Sequence, residues 1–142
     1  MEFSEGLERI GVAAFAESGI RRVDLPSSTR RIDSGAFRFC LSLQRVALNE
    51  GLETIGTDDE EACNEIGAFE GIGIKEIVLP STLATLTKHS FRYCYSLEKV
   101  WVGQRCRARV ADYVKSSVDV RVFREGDESI LNGIRSNMRK NE

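Results

Sequence analysis

The sequence predicts a solenoid of the α/β class, in which stacked coils each contribute a short strand to a parallel sheet. Three observations lead to this prediction. A unit of 22 or 23 residues recurs along the chain, every unit holds one Phe at the same position, and every unit ends in a run of alternating apolar residues. A unit this short cannot bury its own apolar face, whereas a stack of such units can.

Four repeats span residues 6–27, 28–50, 51–81 and 82–104. Their terminal runs IRRVDL, LQRVAL, IKEIVL and LEKVWV alternate with the period of two that is typical of β-strands. We therefore expect one strand from each coil, paired in parallel with the next. The recurring aromatic residues should form an internal column, with an apolar residue of each coil beside it: Phe15, Phe37, Phe69 and Phe91, flanked by Ile10, Ile32, Ile55 and Leu86.

A block of two units is duplicated. An offset of 54 residues joins Phe15 to Phe69, Phe37 to Phe91 and Cys40 to Cys94. The third unit differs from the others by an acidic insert, residues 57–65, with the sequence TDDEEACNE.

The segments RRVDLPSSTRRIDSGAF, AFRFC and IKEIVLPSTLATL resemble the BspA-type leucine-rich repeats, whose units read L-x-x-I-x-I-P-x-S-V-x-x-I-G-x-x-A-F-x-x-C. The resemblance extends from residue 6 to about residue 103. It implies a right-handed leucine-rich-repeat solenoid with a concave sheet. Within the family it also implies roles in adhesion and protein binding rather than catalysis.

We expect residues 1–123 to form one domain, in which a degenerate coil at 105–123 caps the repeats of residues 6–104. In this cap Val110, Tyr113 and Val114 would share a helical face, and Val118, Val120 and Val122 one side of a strand. The tail, residues 124–142, is compatible with an amphipathic helix that starts at Asp127. Its apolar face would hold Ile130, Leu131, Ile134 and Met138.

The N-terminal end of the solenoid leaves three alternatives open. Phe3 and Leu7 could cover the exposed edge locally, the chain could be cut from a longer array, or another subunit could pack there.

Composition is that of a globular protein, with 42% hydrophobic and 30% charged residues. The net charge of −2 gives no general attraction to nucleic acid or to an anionic membrane. The sequence shows neither a signal-peptide pattern nor a run of apolar residues long enough to span a membrane. We therefore expect the chain either to be intracellular as written or to be a fragment whose leader was left out.

Outward residues of the strands should stack into two rows on the concave sheet. One row is Arg22, Arg45, Glu76 and Lys99, and the other is Asp24, Ala47, Val78 and Trp101. The second row changes from charged to apolar and ends in the only Trp, a residue type that is frequent at binding hot spots. We expect Ala47, Val78 and Trp101, flanked by Arg45 and Lys99, to bind a protein. The alternative is that the C-terminal cap or tail covers Trp101 within the chain itself.

Other chemistries find little support. The four cysteines lack metal-ligand spacing, so we expect free thiols. Cys40 and Cys94 stand where the family has its repeated Cys, so the resemblance implies that they lie in the core. Cys63, in the insert, is expected to be the most reactive because it should be exposed. The acidic insert lacks the ligand pattern of a calcium loop. His89, expected at an exposed corner, has no nucleophile or carboxylate beside it in any motif. We expect the Arg105, Arg107 and Arg109 trio to be solvated.

The sequence therefore predicts a non-catalytic protein-binding module without a cofactor, metal or nucleic-acid partner. The alternative is a small structural subunit of a larger assembly, bound through its N-terminal end and its C-terminal tail.

Overall fold

The computed structural model describes residues 1–56, 66–124 and 132–133. These residues form a parallel-strand β-solenoid of about 5 turns. The acidic insert, with Cys63, and nearly all of the predicted tail helix lie outside the described residues.

Each of the four repeats contributes a short strand and, after a corner, a longer one, and residues 105–123 add a fifth longer strand. The short strands β1 Arg9–Ile10, β3 Arg31–Ile32, β5 Thr54–Ile55 and β7 Thr85–Leu86 form one sheet in the order β1-β3-β5-β7. The longer strands are β2 Arg22–Asp24, β4 Arg45–Ala47, β6 Glu76–Leu79, β8 Lys99–Gly103 and β9 Asp119–Phe123, which pair as β2-β4 and as β6-β8-β9. All of these pairings are parallel.

The predicted phenylalanine column is confirmed. Neighbouring rings from Phe15 to Phe91 lie 5.5 to 5.8 Å apart, with planes within 8° of parallel. Phe37 and Phe69 are fully buried, and the flanking Ile32 and Ile55 are buried beside them. The core therefore runs as one continuous stack between the two sets of strands.

The N-terminal segment covers the first coil locally. Phe3 packs edge-on against Phe15, with 5.6 Å between ring centroids. Glu2 forms a parallel bridge with Asp24, and the terminal amine of Met1 donates a hydrogen bond to the carbonyl of Arg22. Of the three alternatives for this end, these contacts support local coverage by Phe3.

The corner after each column Phe contains a residue with left-handed backbone. Glu17, Phe39, Gly71 and Tyr93 occupy the same position, two residues after the Phe, with φ between 52° and 73°. Only Gly adopts this conformation without steric cost. At Gly71 the missing side chain also makes room for the ring of Phe39, which a Cβ atom there would overlap.

Polar contacts also join the coils. Glu5 accepts hydrogen bonds from the backbone N–H and the hydroxyl of Ser27, and Glu50 accepts the same pair from Ser81. Since Glu5 and Glu50 both begin an E-G-L-E segment, this contact is part of the duplicated two-unit block. Another link is the fully buried carboxylate of Asp33, which accepts from Arg9 in the preceding coil at 2.6 Å and from Arg31 at 2.5 Å.

The expected α/β class is wrong for the described residues, in which helix is nearly absent. The segments between strands are turns, and the only helix of at least three residues among them is a 3₁₀ helix, Val110–Asp112. A coil of 22 or 23 residues that holds two strands leaves little chain for a helix, and the left-handed residues interrupt helical backbone.

The predicted capping coil, residues 105–123, contributes the last strand, β9. β9 lies beside β8 with Val120 opposite Val100 and Val122 opposite Val102. Val118 precedes the strand and is buried, whereas Val122 is 67% exposed. Val122 is exposed because β9 is the outermost strand of its sheet, so no further described strand packs over it.

No helix in the described part of the chain is both long and apolar enough to cross a membrane.

Candidate functional site

The two rows expected from the sequence lie on the outward side of the longer strands, which we call the long-strand face. Arg22 lies opposite Arg45 and Asp24 opposite Ala47 in the β2–β4 pair. Glu76 lies opposite Lys99 and Val78 opposite Trp101 in the β6–β8 pair. β4 and β6 are neighbours although their backbones do not pair in a sheet.

The capping coil lengthens both rows. In β9, Asp119 lies opposite Lys99 and Arg121 lies opposite Trp101. These two residues were not predicted for the site. The alternation in VDVRVF already assigned Asp119 and Arg121 to the outward side, so the signal was present in the sequence.

Most charges on this face are paired with one another. Arg45 lies 3.5 Å from Asp24 and Lys99 lies 3.9 Å from Glu76. Arg121 donates to Asp119 at 2.7 Å. A largely solvated pair such as Arg121 and Asp119 contributes about 0 to 1 kcal/mol to stability, whereas the Arg45 side chain is largely buried. The effect of these pairs is to leave the face almost neutral.

Not every predicted residue offers contact surface. Arg45 is only 8% exposed, so most of its side chain is buried and cannot contact a partner. Asp24, Ala47, Val78 and Trp101 are half-buried, and Arg22 is exposed.

Trp101 has an unusual environment. The ammonium of Lys99 lies 5.4 Å from the ring centroid and the guanidinium of Arg121 lies 5.7 Å from it, both within the range of cation–π attraction. The indole Nε1 is buried and has no hydrogen-bond partner among the described residues. Together with Val78, the ring provides an apolar area at the C-terminal end of a charged face. Arg121 thus covers part of Trp101 from within the chain, as the alternative interpretation requires, while the rest of the ring stays accessible.

Cys40 and Cys94 are free thiols and are buried in the core, as predicted. The Cys94 thiol donates to the carbonyl of Phe69 at 3.1 Å, and burial raises its pKa to about 11. Burial also raises the pKa of Cys106. Since the thiolate is the nucleophile, neither environment activates a cysteine for catalysis.

The remaining candidates do not form a reactive cluster. His89 is half-buried rather than exposed, and Arg105, Arg107 and Arg109 are exposed as expected. No group of three or more potential metal ligands occurs in the residues that the structure describes.

Comparison with known proteins identifies the repeats. The model of the BspA type leucine rich repeat region matches residues 1–98 in six copies. The capping coil lies beyond this match. No curated protein matches the sequence.

Two solved structures match this chain. A leucine rich cell surface protein from Faecalibacterium prausnitzii A2-165 superposes with a TM-score of 0.64 and 18% identity, over 94% of this chain and 34% of that one. The T. pallidum leucine rich repeat protein gives a TM-score of 0.49 and 22% identity, over 86% of this chain and 67% of that one. This chain thus spans about a third of the length of the first protein. Because the family model covers more than two thirds of the sequence, the chain belongs to the BspA-type leucine-rich repeat family.

Proposed function

We propose that the chain is a non-catalytic protein-binding module, a right-handed solenoid of four repeats and one capping coil with an adhesion or scaffold role. Its partner would dock on the long-strand face, which would be concave. Leucine-rich-repeat proteins generally bind protein partners and are generally not catalysts, which supports this class of function. The observation that carries the proposal is the half-buried Trp101 beside Val78 on a face whose charges are mutually paired.

Trp101 is proposed as the main anchor. Burying the rest of an indole against a partner removes apolar area from water, and truncating such an anchor typically costs 2 kcal/mol or more of binding free energy. A partner should therefore bind a Trp101→Ala variant at least about tenfold more weakly.

The test compares two strand positions of similar exposure. Val78→Glu places a charge on the long-strand face, and Thr54→Glu places one on the outward side of the short-strand sheet, where Thr54 is also half-buried. Both variants and Trp101→Ala would be used in affinity capture from the native source, with thermal unfolding to show that each is folded. We expect the captured proteins to be lost with Val78→Glu and Trp101→Ala and retained with Thr54→Glu. A Trp101→Ala protein that is less stable yet keeps every partner would show instead that the ring serves internal packing.

An alternative proposal is a structural subunit of a larger assembly. The strongly exposed Val122 on the outermost described strand favours it, because an open strand edge with apolar side chains promotes association. Coverage of the first coil by Phe3 removes part of the support for contacts at the N-terminal end. Light scattering of the isolated chain discriminates between the two, since a stable monomer at micromolar concentration contradicts an obligate subunit.

A further inference from the structure

A second surface lies at the end of the phenylalanine column. The corner of the fourth coil and the start of the capping coil enclose a groove of about 430 Å³, which reaches the ring of Phe91. We call it the tyrosine groove, because Tyr93, Tyr95 and Tyr113 line it together with Lys88, Arg92 and Lys115. None of its residues belongs to a strand, so it is separate from the long-strand face.

The groove exposes aromatic surface that contributes little to the core. Tyr95 is 74% exposed and Tyr93 is 40% exposed, and their ring centroids lie 6.2 Å apart. Tyr is among the residues most enriched at binding hot spots, because it combines a large apolar ring with a hydroxyl.

Tyr93 is also held in an unfavourable backbone conformation. Its φ of 61° lies in the left-handed region, and the equivalent residue of the third coil is Gly71. A bulky residue there costs about 1 kcal/mol or more relative to Gly. Phe39, at the same position in the second coil, recovers this cost by packing its ring over Gly71. The ring of Tyr93 faces the groove instead, where a ligand could use it.

A basic side chain lies over each of the two exposed tyrosine rings. The guanidinium of Arg92 lies 4.6 Å from the Tyr93 centroid, and the ammonium of Lys115 lies 4.0 Å from the Tyr95 centroid. With Lys88, the lining holds three basic side chains against the single carboxylate of Asp112. This excess positive charge favours an anionic ligand, and the aromatic walls favour one that also carries an apolar group.

We propose that the tyrosine groove binds an acidic peptide segment of a partner protein. An aromatic or aliphatic side chain of the peptide seats between the tyrosines against Phe91. Flanking Asp or Glu carboxylates pair with Lys88, Arg92 and Lys115. The volume of the groove is within the range of sites that enclose a small ligand, and thus suits one or two anchoring side chains.

The test is a selection of binding peptides from a random library displayed on phage, with the full chain immobilised as the target. Peptides would be depleted first on a Tyr95→Ala/Lys115→Glu double variant and then recovered on the wild-type protein. We expect the recovered peptides to share an aromatic or aliphatic residue flanked by acidic residues.

Synthetic versions of the recovered peptides then measure affinity by fluorescence anisotropy. Tyr95→Ala and Lys115→Glu should each weaken binding about tenfold, and the affinity of the wild-type protein should fall as salt is raised. Tyr93→Gly should weaken binding while keeping the thermal midpoint, because Gly relieves the left-handed strain. Leu41→Ala is the matched control, since Leu41 occupies the position of Tyr95 in the second coil, is 76% exposed and does not line the groove.

Three outcomes would overturn the proposal: no enrichment over the double variant, recovered peptides that are neutral or basic, or equal losses with Leu41→Ala and Tyr95→Ala. Binding of heparin or single-stranded DNA to the groove without binding of acidic peptides would also overturn it. These results are independent of Val78 and Trp101, so they leave the proposal for the long-strand face unaffected.

Discussion

Phe37 and Phe69 stack in parallel across the boundary of the second and third coils, with 5.5 Å between ring centroids and 6° between planes. Parallel strands of successive coils are about 4.8 Å apart, so offset rings at this distance match the coil spacing. The aromatic column and the strand pairing therefore support the same repeat geometry.

Phe69→Ala should be strongly destabilising, because it leaves a cavity in the middle of the column. Phe69 is fully buried between two stacked rings. We expect the free energy of unfolding to fall by about 3 to 5 kcal/mol, measured by urea denaturation. Leu41→Ala, at a position that is 76% exposed, should change it by no more than about 0.5 kcal/mol. A loss below 1 kcal/mol for Phe69→Ala would contradict a continuous column.

Asp33→Ala should lower the free energy of unfolding more than a variant that removes an exposed ion pair. The carboxylate of Asp33 is fully buried and accepts from Arg9 and Arg31, whereas the side chain of Arg9 is 61% exposed and remains solvated after the change. We expect a loss of about 1 to 3 kcal/mol of unfolding free energy. Asp119→Ala removes the partner of Arg121 at a position that is 48% exposed and should cost at most about 1 kcal/mol. Equal losses would show that burial of Asp33 does not matter.

The repeat pattern was sufficient to predict the column, the parallel pairing and the pairs within each row of the long-strand face. These features depend on residues that recur at fixed spacing, such as Phe37 and Phe91. Stacking the units in register aligns the equivalent residues of successive coils. Asp33 was missed because it replaces the Gly11 and Gly56 of neighbouring coils and has no repeat of its own. Its signal was the register that brings Arg9 and Arg31 side by side.

The tyrosine groove could not be predicted, because it depends on where the repeat fails. No Phe of the capping coil continues the stacked column beyond Phe91, and Tyr113 and Lys115 lie at its end instead. The near absence of helix among the described residues was also missed, since the left-handed positions of Phe39 and Tyr93 are not marked by a Gly in the sequence.

Gly71→Ala should destabilise the protein for two separable reasons. The φ of 73° disfavours any side chain, and the new Cβ would overlap the ring of Phe39. We expect a loss of about 1 to 3 kcal/mol. The Gly71→Ala/Phe39→Ala double variant removes the overlap but not the backbone strain. Urea denaturation of all variants gives a double-mutant cycle. If the overlap contributes, the sum of the losses of unfolding free energy for Gly71→Ala and Phe39→Ala should exceed the loss for the double variant. Strictly additive losses would assign the whole effect to the backbone.

Cys94 should make stability depend on pH above pH 9. Burial raises its thiol pKa from 9.0 to about 11, so between these values the unfolded chain has lost the proton while the folded chain keeps it. The folded state then binds more protons than the unfolded state, and the free energy of unfolding falls as pH rises through this window. Stability linked to this thiol is fully present below pH 9.

Urea denaturation of the wild-type protein and of Cys94→Ala at pH 8 and pH 10 measures this effect. We expect the wild-type protein to lose more stability than the variant over this interval, because groups common to both cancel in the difference. At pH 8 the folded wild-type protein should also be alkylated by iodoacetamide more slowly at Cys94 than at Cys106, which is only half-buried. Identical pH dependence of the two proteins would show that the Cys94 thiol ionises as readily in the folded chain as in the unfolded one.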